Sequence, residues 1–302
     1  MKLCLGTVQF GMAYGINNVY GKPSRENVFS MLDYAIAEGI DCIDTAQAYG
    51  DAEEILGSYG LGKKRQVKII SKLRPHAVDG KVHPEKVVEA EIENSLQKLQ
   101  VDHLDGYLLH TPEYIYHEGV REGLERCKQR GLVEHIGVSV YEMSHARDAI
   151  ASGWIDYIQA PYSLLDQRMT QEGIVEEAKK TGVTVFLRSA FLQGLLMMDA
   201  NRVPEHVRQA QPMLEKLNEI LIKYGWSRVQ AALYFSLSAG ADYLVFGVDT
   251  LEQLKENMYW HRQFSINYEK DDCLMQLRSL FPNIERSIIF PSLWKDKKVE
   301  QT

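Results

Sequence analysis

Short apolar runs separated by longer amphipathic stretches recur along the chain. The first run, Lys2-Leu3-Cys4-Leu5, delivers into the loop Gly6-Thr7-Val8-Gln9-Phe10-Gly11, and the stretch to Gly21 is glycine-rich and polar-aromatic. Ser24 behind Pro23 is a good N-cap, and Val28, Met31, Leu32, Ala35 and Ile36 repeat at helical spacing until Gly39. The short run Cys42–Asp44 follows. The same unit then returns as a strand at Val67–Ile70, a helix opened by Pro84 with Val88, Ile92, Leu96 and Leu99 on one stripe, and a strand at Leu104–Leu109. Helices around Val120–Gln129, Ser144–Ala151 and Gln171–Lys180 separate strands at Val133–Val138, Ile155–Gln159 and Val183–Leu187. The period loosens from Gln193 to Gln211. Two helical runs come next, around Met213–Tyr224 and Val229–Ser238, before a last strand at Tyr243–Phe246. Leu251, Leu254 and Met258 mark a final helix ahead of an aromatic-rich tail from Tyr259 to Trp294.

Eight strands, each followed by helix, predict a closed parallel (β/α)8 TIM barrel, α/β in class and one domain over residues 1–302 with a C-terminal tail from about 259 to 302. A doubly wound sheet is the rival, but no G-x-G-x-x-G follows the first strand. In a barrel, polar residues just past the C-terminal ends of strands are where chemistry collects. Three ends stand out. Asp44 closes its apolar run with Tyr49 in the next loop, Ser71-Lys72 follows Ile69-Ile70, and His110 follows Tyr107-Leu108-Leu109. Taken singly, these are a capping carboxylate, a rim tyrosine, a solvated lysine and a core histidine. Together they predict one pocket.

Composition narrows the partners. A chain of 302 residues buries a large core, and 45% hydrophobic with 25% charged residues is ordinary for a globular protein. A net charge of -7 leaves no basic excess for nucleic acid. Apolar runs are strand-sized and the N-terminus lacks signal-peptide features, so no membrane role and a cytoplasmic location are expected. Cys4, Cys42, Cys127 and Cys273 are scattered without a C-x-x-C pair, which predicts reduced, inert thiols and no metal site.

Asp44 to Gly50 reads D-T-A-x-x-Y-G, and Ser71-Lys72 and Leu109-His110 follow in order on the expected strands. On these residues the chain resembles the aldo-keto reductase family over nearly its whole length. Members of that family are (β/α)8 barrels that use NADPH or NADH to reduce carbonyls. The resemblance implies a catalytic tetrad of Asp44, Tyr49, Lys72 and His110. Tyr49 would be the proton donor, with the Lys72 ammonium shifting the phenol toward useful acidity. Asp44 would be the counter-ion of Lys72, and His110 would orient the substrate oxygen.

The resemblance also implies a cofactor track. Gly6 and Thr7 open it at the first strand. Gly137-Val138-Ser139 looks like the family's strand-five G-V-S, whose serine meets the nicotinamide carboxamide with Gln159 as partner, although Val140 replaces the usual Asn. Arg188 to Gly194 aligns with a stretch that often begins with a nicotinamide-stacking Tyr. Arg188 is therefore expected to stack through its planar guanidinium, with Ser189, Phe191 and Gly194 beside the cofactor; its other reading is a surface salt bridge. Gly247, Asp249, Thr250, Gln253 and Asn257 resemble the segment that holds the adenosine phosphate end at a helix N-terminus. NADP(H) is the family's commoner nucleotide and the expected one. Asp249 stands where NADPH-dependent members carry Lys or Arg, which keeps NAD(H) open.

The substrate class is a small aldehyde, ketone or sugar-like carbonyl, since Tyr14, Tyr114, Tyr141 and Tyr259-Trp260 offer aromatic and hydroxyl surfaces that suit a polyol. The sequence implies no particular oligomeric state. Potassium-channel beta subunits resemble the same family and act largely as cofactor-binding partners, but retention of all four tetrad types argues for catalysis. A metal-dependent isomerase on this fold would need a concentrated His and carboxylate ligand set, which is lacking.

Overall fold

A computed structural model describes residues 1–64, 66–264 and 271–294. Eight parallel strands pair in sequence order and close on themselves. They are β1 (Lys2–Gly6), β2 (Cys42–Asp44), β3 (Lys68–Leu73), β4 (Leu104–Leu109), β5 (Val133–Ser139), β6 (Tyr157–Pro161), β7 (Thr184–Arg188) and β8 (Tyr243–Phe246). Closure is made by β1 against β8, with Cys4 opposite Val245 and Leu5 opposite Phe246.

Strand side chains alternate between two environments. Leu5, Ile43, Ile69, Leu109, Ile158 and Leu244 face outward into the main core with the helices. Cys4, Cys42, Ile70, Leu108, Tyr157, Phe186 and Val245 form a separate apolar plug inside the barrel. Gly137 of β5 gives up its side chain to this plug, because a Cβ there would lie 2.8 Å from the Cβ of Tyr157. Moving two residues along each strand reaches the next inward layer: Gly6, Asp44, Lys72, His110, Ser139, Gln159, Arg188 and Gly247. One period-2 rule therefore yields both a dry floor and a polar ring above it.

The connecting helices are α1 (Arg25–Ala37), α2 (Ala52–Tyr59), α3 (Pro84–Leu99), α4 (Glu118–Gln129), α5 (Met143–Ser152), α6 (Ile174–Thr181), α7 (Gln211–Tyr224), α8 (Arg228–Leu237), α9 (Leu251–Gln263) and α10 (Asp272–Leu280). Ser24 caps α1 by accepting from the Asn27 N–H, and Val28, Met31, Leu32 and Ala35 form its buried stripe. Among the described residues no helix is long and apolar enough to cross a membrane.

Several boundaries differ from the sequence expectations. β3 continues past Ile70 to Leu73, because Ser71, Lys72 and Leu73 keep their ladder with Tyr107, Leu108 and Leu109. Lys72 thus sits in the strand, not in the loop beyond it. β6 begins at Tyr157, not Ile155, and runs on to Pro161. The helix expected over Gln171–Lys180 is split: a turn at Arg168–Gln171 ends before Gly173 takes a left-handed φ of 69° and α6 starts. The aromatic tail is not a tail at Tyr259 and Trp260, which lie within α9; Trp260 and Phe264 pack edge-on against Tyr234 of α8 at 6.1 and 5.2 Å. α10 and a helical turn at Arg286–Ile289 follow where only a tail was expected. Residues 265–270 and 295–302 of that segment lie outside the described residues.

Candidate active site

Lys72 and Asp44 occupy the inward ring on adjacent strands. The Lys72 Nζ donates to both Asp44 carboxylate oxygens at 2.7 Å, to the Thr45 carbonyl at 2.8 Å and toward the Tyr49 hydroxyl at 3.3 Å. Lys72 is fully buried and Asp44 is 2% exposed. Burial is the largest single influence and favours the neutral amine, but the Asp44 carboxylate and the Tyr49 hydroxyl together outweigh it and the Lys72 pKa ends above its ordinary value. Asp44 is pinned in turn. Gln159 Nε2 donates to its Oδ1 at 2.7 Å, and the Thr7 N–H and hydroxyl both donate to its carbonyl at 3.0 Å. A buried ion pair is tolerable when its geometry is this complete. Its product is an ammonium fixed beside a phenol.

Tyr49 departs from the expectation of increased acidity. Burial raises its pKa, the Lys72 ammonium lowers it, Asp44 raises it again, and the net shift is upward. Tyr49 is therefore a protonated donor at neutral pH. The ring of His110 meets that of Tyr49 edge-on at 6.2 Å. Burial, then the positive charges of Lys72 and Arg188, push the His110 pKa down to about 3. A neutral imidazole and a neutral phenol thus face the same space, and both can donate to one substrate oxygen. Because the folded-state pKa of His110 is depressed, the unfolded chain takes up its proton first as pH falls. Its contribution to stability is complete above the ordinary value of about 6.5 and declines toward about pH 3. We expect kcat/KM to be flat between about pH 5 and 8. An inflection near the ordinary imidazole pKa that disappears in His110→Gln would contradict this.

The Tyr49 loop is held by close backbone contact. A Cβ on Gly11 would fall 1.7 Å from the Tyr49 carbonyl oxygen, and one on Gly50, at φ 58°, would fall 2.3 Å from the Gly11 carbonyl oxygen. Gly11→Ala should therefore displace the loop, lowering stability by about 1–3 kcal/mol and kcat with it. Thermal unfolding and steady-state rates check it; wild-type values for both would mean that the two loops are not clamped. From the outer face of β3, the Ser71 hydroxyl donates to buried Glu53 of α2 at 2.6 Å. Neighbouring residues of one strand are thus anchored on opposite sides.

A cavity of about 760 Å³ opens at the C-terminal ends of the strands. Tyr49, His110 and Asp44 line it, while Lys72 lies just beneath, reaching it through Tyr49. Gly6, Thr7, Ser139 and Gln159 line it from the barrel mouth, and Arg188, Ser189, Phe191 and Gly194 from the loop after β7. Gly247, Asp249, Gln253 and Asn257 line its far end. Thr250 does not, because its hydroxyl caps α9 by accepting from the Gln253 N–H at 3.3 Å. Ser189, Leu192 and Gln193 all hold left-handed backbone angles. Such strain persists where tertiary contacts impose it. Here the Gln193 carbonyl accepts from the Ile16 N–H at 2.9 Å, and Gln193 Nε2 donates to the Tyr14 hydroxyl at 2.7 Å.

Among the described residues Arg188 makes no surface salt bridge. Its guanidinium lies over the Tyr141 ring at 4.3 Å and donates to the Val140 carbonyl at 3.2 Å and the Ser189 hydroxyl at 3.3 Å. Of the aromatics expected around substrate, Tyr14 and Tyr141 line the cavity. The others do not. Tyr114 is buried with its hydroxyl donating to Asp79 at 2.6 Å, and Tyr259 and Trp260 belong to α9. Sequence reasoning missed Gln9, Asn17, Arg228, Glu256, Pro291 and Ser292, all on the cavity wall. Glu256 precedes Asn257 on one helix and Arg228 follows the N-cap Ser227, so these two were within reach. Nothing local marks Pro291 and Ser292. Among the described residues no cluster of His, Cys, Asp or Glu is placed to hold a metal, and all four cysteines are free and buried.

Gln9 Oε1, His110 Nδ1, Arg228 Nη2 and Asp249 Oδ1 are buried without a hydrogen-bond partner, and all four residues line the cavity. Buried polar atoms are rarely left unpaired without reason. Spread along one cleft beside a helix N-terminus, they fit an extended ligand carrying phosphates and amides.

The sequence profile of the Aldo/keto reductase family matches residues 2–270, and the chain belongs to that family. It is 30% identical to the aldo-keto reductase YhdN of Bacillus subtilis over 65% of this chain and 60% of that one. It is 26% identical to the NADH-specific methylglyoxal reductase of Escherichia coli over 82% and 85% of the two chains. A solved aldo-keto reductase of Bacillus halodurans in its holo form superposes with a TM-score of 0.75 at 21% identity, covering 95% of both chains, which shows the common barrel. The protein is an NAD(P)H-dependent carbonyl-reducing enzyme acting on small molecules.

Proposed function

We propose that Tyr49 is the proton donor of this reductase, with Lys72, Asp44 and His110 as its supporting set. The observation that carries the reading is the Lys72 Nζ, held 3.3 Å from the Tyr49 hydroxyl by a buried carboxylate. A nicotinamide dinucleotide bound in the cavity supplies the hydride. The chain's residues do the rest. The Tyr49 hydroxyl and the His110 imidazole donate to the carbonyl oxygen and polarise it. As negative charge grows on that oxygen, the Tyr49 proton moves to it, and the Lys72 ammonium stabilises the phenolate left behind. Asp44 keeps Lys72 charged in a site that would otherwise neutralise it. Ser139 and Gln159 would hold the nicotinamide carboxamide, Arg188 would border that ring, and Arg228 would offer its unpartnered Nη2 to a phosphate oxygen. The neutral polar wall of Tyr14, Asn17, Tyr141 and Ser292 suits a hydroxylated, sugar-like substrate. We assign the chain to the cytoplasm, a compartment that supplies reduced nicotinamide nucleotide.

For the nucleotide, two carboxylates decide our reading. Asp249 and Glu256 both line the cavity, at the end that we assign to the adenosine. Placing a 2′-phosphate there costs on the order of 1 kcal/mol or more, or about tenfold in affinity, whereas a ribose 2′-hydroxyl can donate to either carboxylate. Although NADP(H) is commoner in the family, this end of the cavity supports NAD(H). We expect NADH to bind about tenfold tighter than NADPH and Asp249→Arg to reverse the order, as read from dissociation constants. An unchanged preference in that variant would place Asp249 away from the 2′ position.

A further inference from the structure

Four buried or half-buried cations lie on or near the barrel mouth: two have acids, and Arg228 is the one assigned above to a phosphate oxygen. Lys72 has Asp44, and Arg168 has a two-pronged contact to Asp166 at 2.7 and 2.8 Å. Arg188 has none: among the described residues it forms no ion pair, and its neighbours across the cavity are the tyrosines Tyr14, Tyr49 and Tyr141. The acids on the cavity wall are committed elsewhere, Asp44 to Lys72 and Asp249 with Glu256 to the far end. A guanidinium in such a place is costly unless something anionic comes to it.

Its geometry is that of a prepared receptor. Tyr141 covers one face, and the Val140 carbonyl and Ser189 hydroxyl each take one N–H. The Tyr141 side chain is a further hydrogen-bond partner, so at most two of the five N–H groups of the arginine remain open. The group lies close enough to the reacting end for its charge to depress the basicity of His110 and to favour ionisation of Tyr49.

We propose that Arg188 docks a carboxylate of the substrate, so that the carbonyl compounds this chain prefers are acids: 2-oxo acids, semialdehyde acids or uronates. This rests on the reductase reading above. A planar carboxylate matches the guanidinium fork, and the pairing leaves the carbonyl a few bonds away, beside Tyr49 and His110. The hydroxyl and amide groups of Tyr14, Asn17 and Ser292 are then free for the hydroxyls of a uronate.

Matched substrate pairs test it: succinic semialdehyde against butanal, 4-carboxybenzaldehyde against 4-methylbenzaldehyde, and glucuronate against glucose, each at saturating reduced nucleotide. The readout is the ratio of kcat/KM, acid over neutral, because any loss from disturbed cofactor contacts divides out. In wild type the ratio should be about 10- to 100-fold in favour of the acid, fall to about one in Arg188→Gln, and recover in part in Arg188→Lys. A wild-type ratio near one, or an unchanged ratio in Arg188→Gln, overturns the proposal. Calorimetric titration of the nucleotide complex with succinate and with 1,4-butanediol separates the two readings. Succinate binding that needs Arg188 in a chain that reduces nothing would leave the anchor standing and remove the reductase reading. Neutral aldehydes reduced as well as acids would do the reverse.

Discussion

Tyr49→Phe is expected to lower kcat by about 10²- to 10⁴-fold while the dissociation constant of the reduced nucleotide changes by no more than about twofold. The phenyl ring keeps the packing of the phenol, so little besides the hydroxyl is lost. That hydroxyl's contact with the protein is the 3.3 Å approach of Lys72, which retains Asp44 and the Thr45 carbonyl when it goes. The loop stays clamped against Gly11. What disappears is the proton that must reach the substrate oxygen as hydride arrives. Retention of more than about a tenth of the wild-type kcat would remove Tyr49 from the chemistry.

Lys72→Met should be the most damaging change overall, because it strikes stability and rate together. Removing one partner of a buried pair costs about 3–5 kcal/mol, here by leaving the Asp44 carboxylate with Gln159 as its remaining side-chain donor. The rate falls as well, since an uncharged side chain cannot stabilise a phenolate. Asp44→Asn is expected to be milder in rate, as the ammonium persists. The two losses can be separated. Adding Asp44→Leu to Lys72→Met removes the stranded charge, so the midpoint of thermal unfolding should recover in part while kcat stays low. Recovery of rate along with stability would mean that Lys72 acts only by holding the fold.

Much of this was legible because the strand-helix unit repeats at a steady period. Short apolar runs for the strands and helical spacing between them announce the barrel, and the D-T-A-x-x-Y-G stretch marks the strand end that carries Asp44 and Tyr49. Strand limits were harder where the inward ring turns polar. Ser71-Lys72 reads as the start of a loop, yet the backbone ladder to β4 continues beneath it, because hydrogen bonding is indifferent to what the side chains carry. α10 was readable in principle: Asp271 accepts from the Leu274 N–H at 3.1 Å, and Leu274 and Leu277 form its buried stripe, but the surrounding aromatics drew attention instead. Effects that depend on distant partners were not legible. The stacking of Arg188 on Tyr141 joins β7 to the loop after β5, and the acidity of Tyr49 is a contest between burial and Lys72 that only the folded distances decide. The same holds for Pro291 and Ser292, brought to the cavity by a segment the barrel pattern does not describe.

The central claim is direct hydride transfer from nicotinamide to a carbonyl carbon at Tyr49. The most direct test is a single-turnover reaction of the wild-type chain with nicotinamide nucleotide deuterated at C4 and a carbonyl substrate from the matched pairs. Mass spectrometry of the product alcohol then locates the label. Deuterium on the carbinol carbon with wild type, and its loss with Tyr49→Phe at unchanged nucleotide occupancy, is the predicted result. A wild-type chain that binds the labelled nucleotide but passes no deuterium to any carbonyl offered would contradict the account.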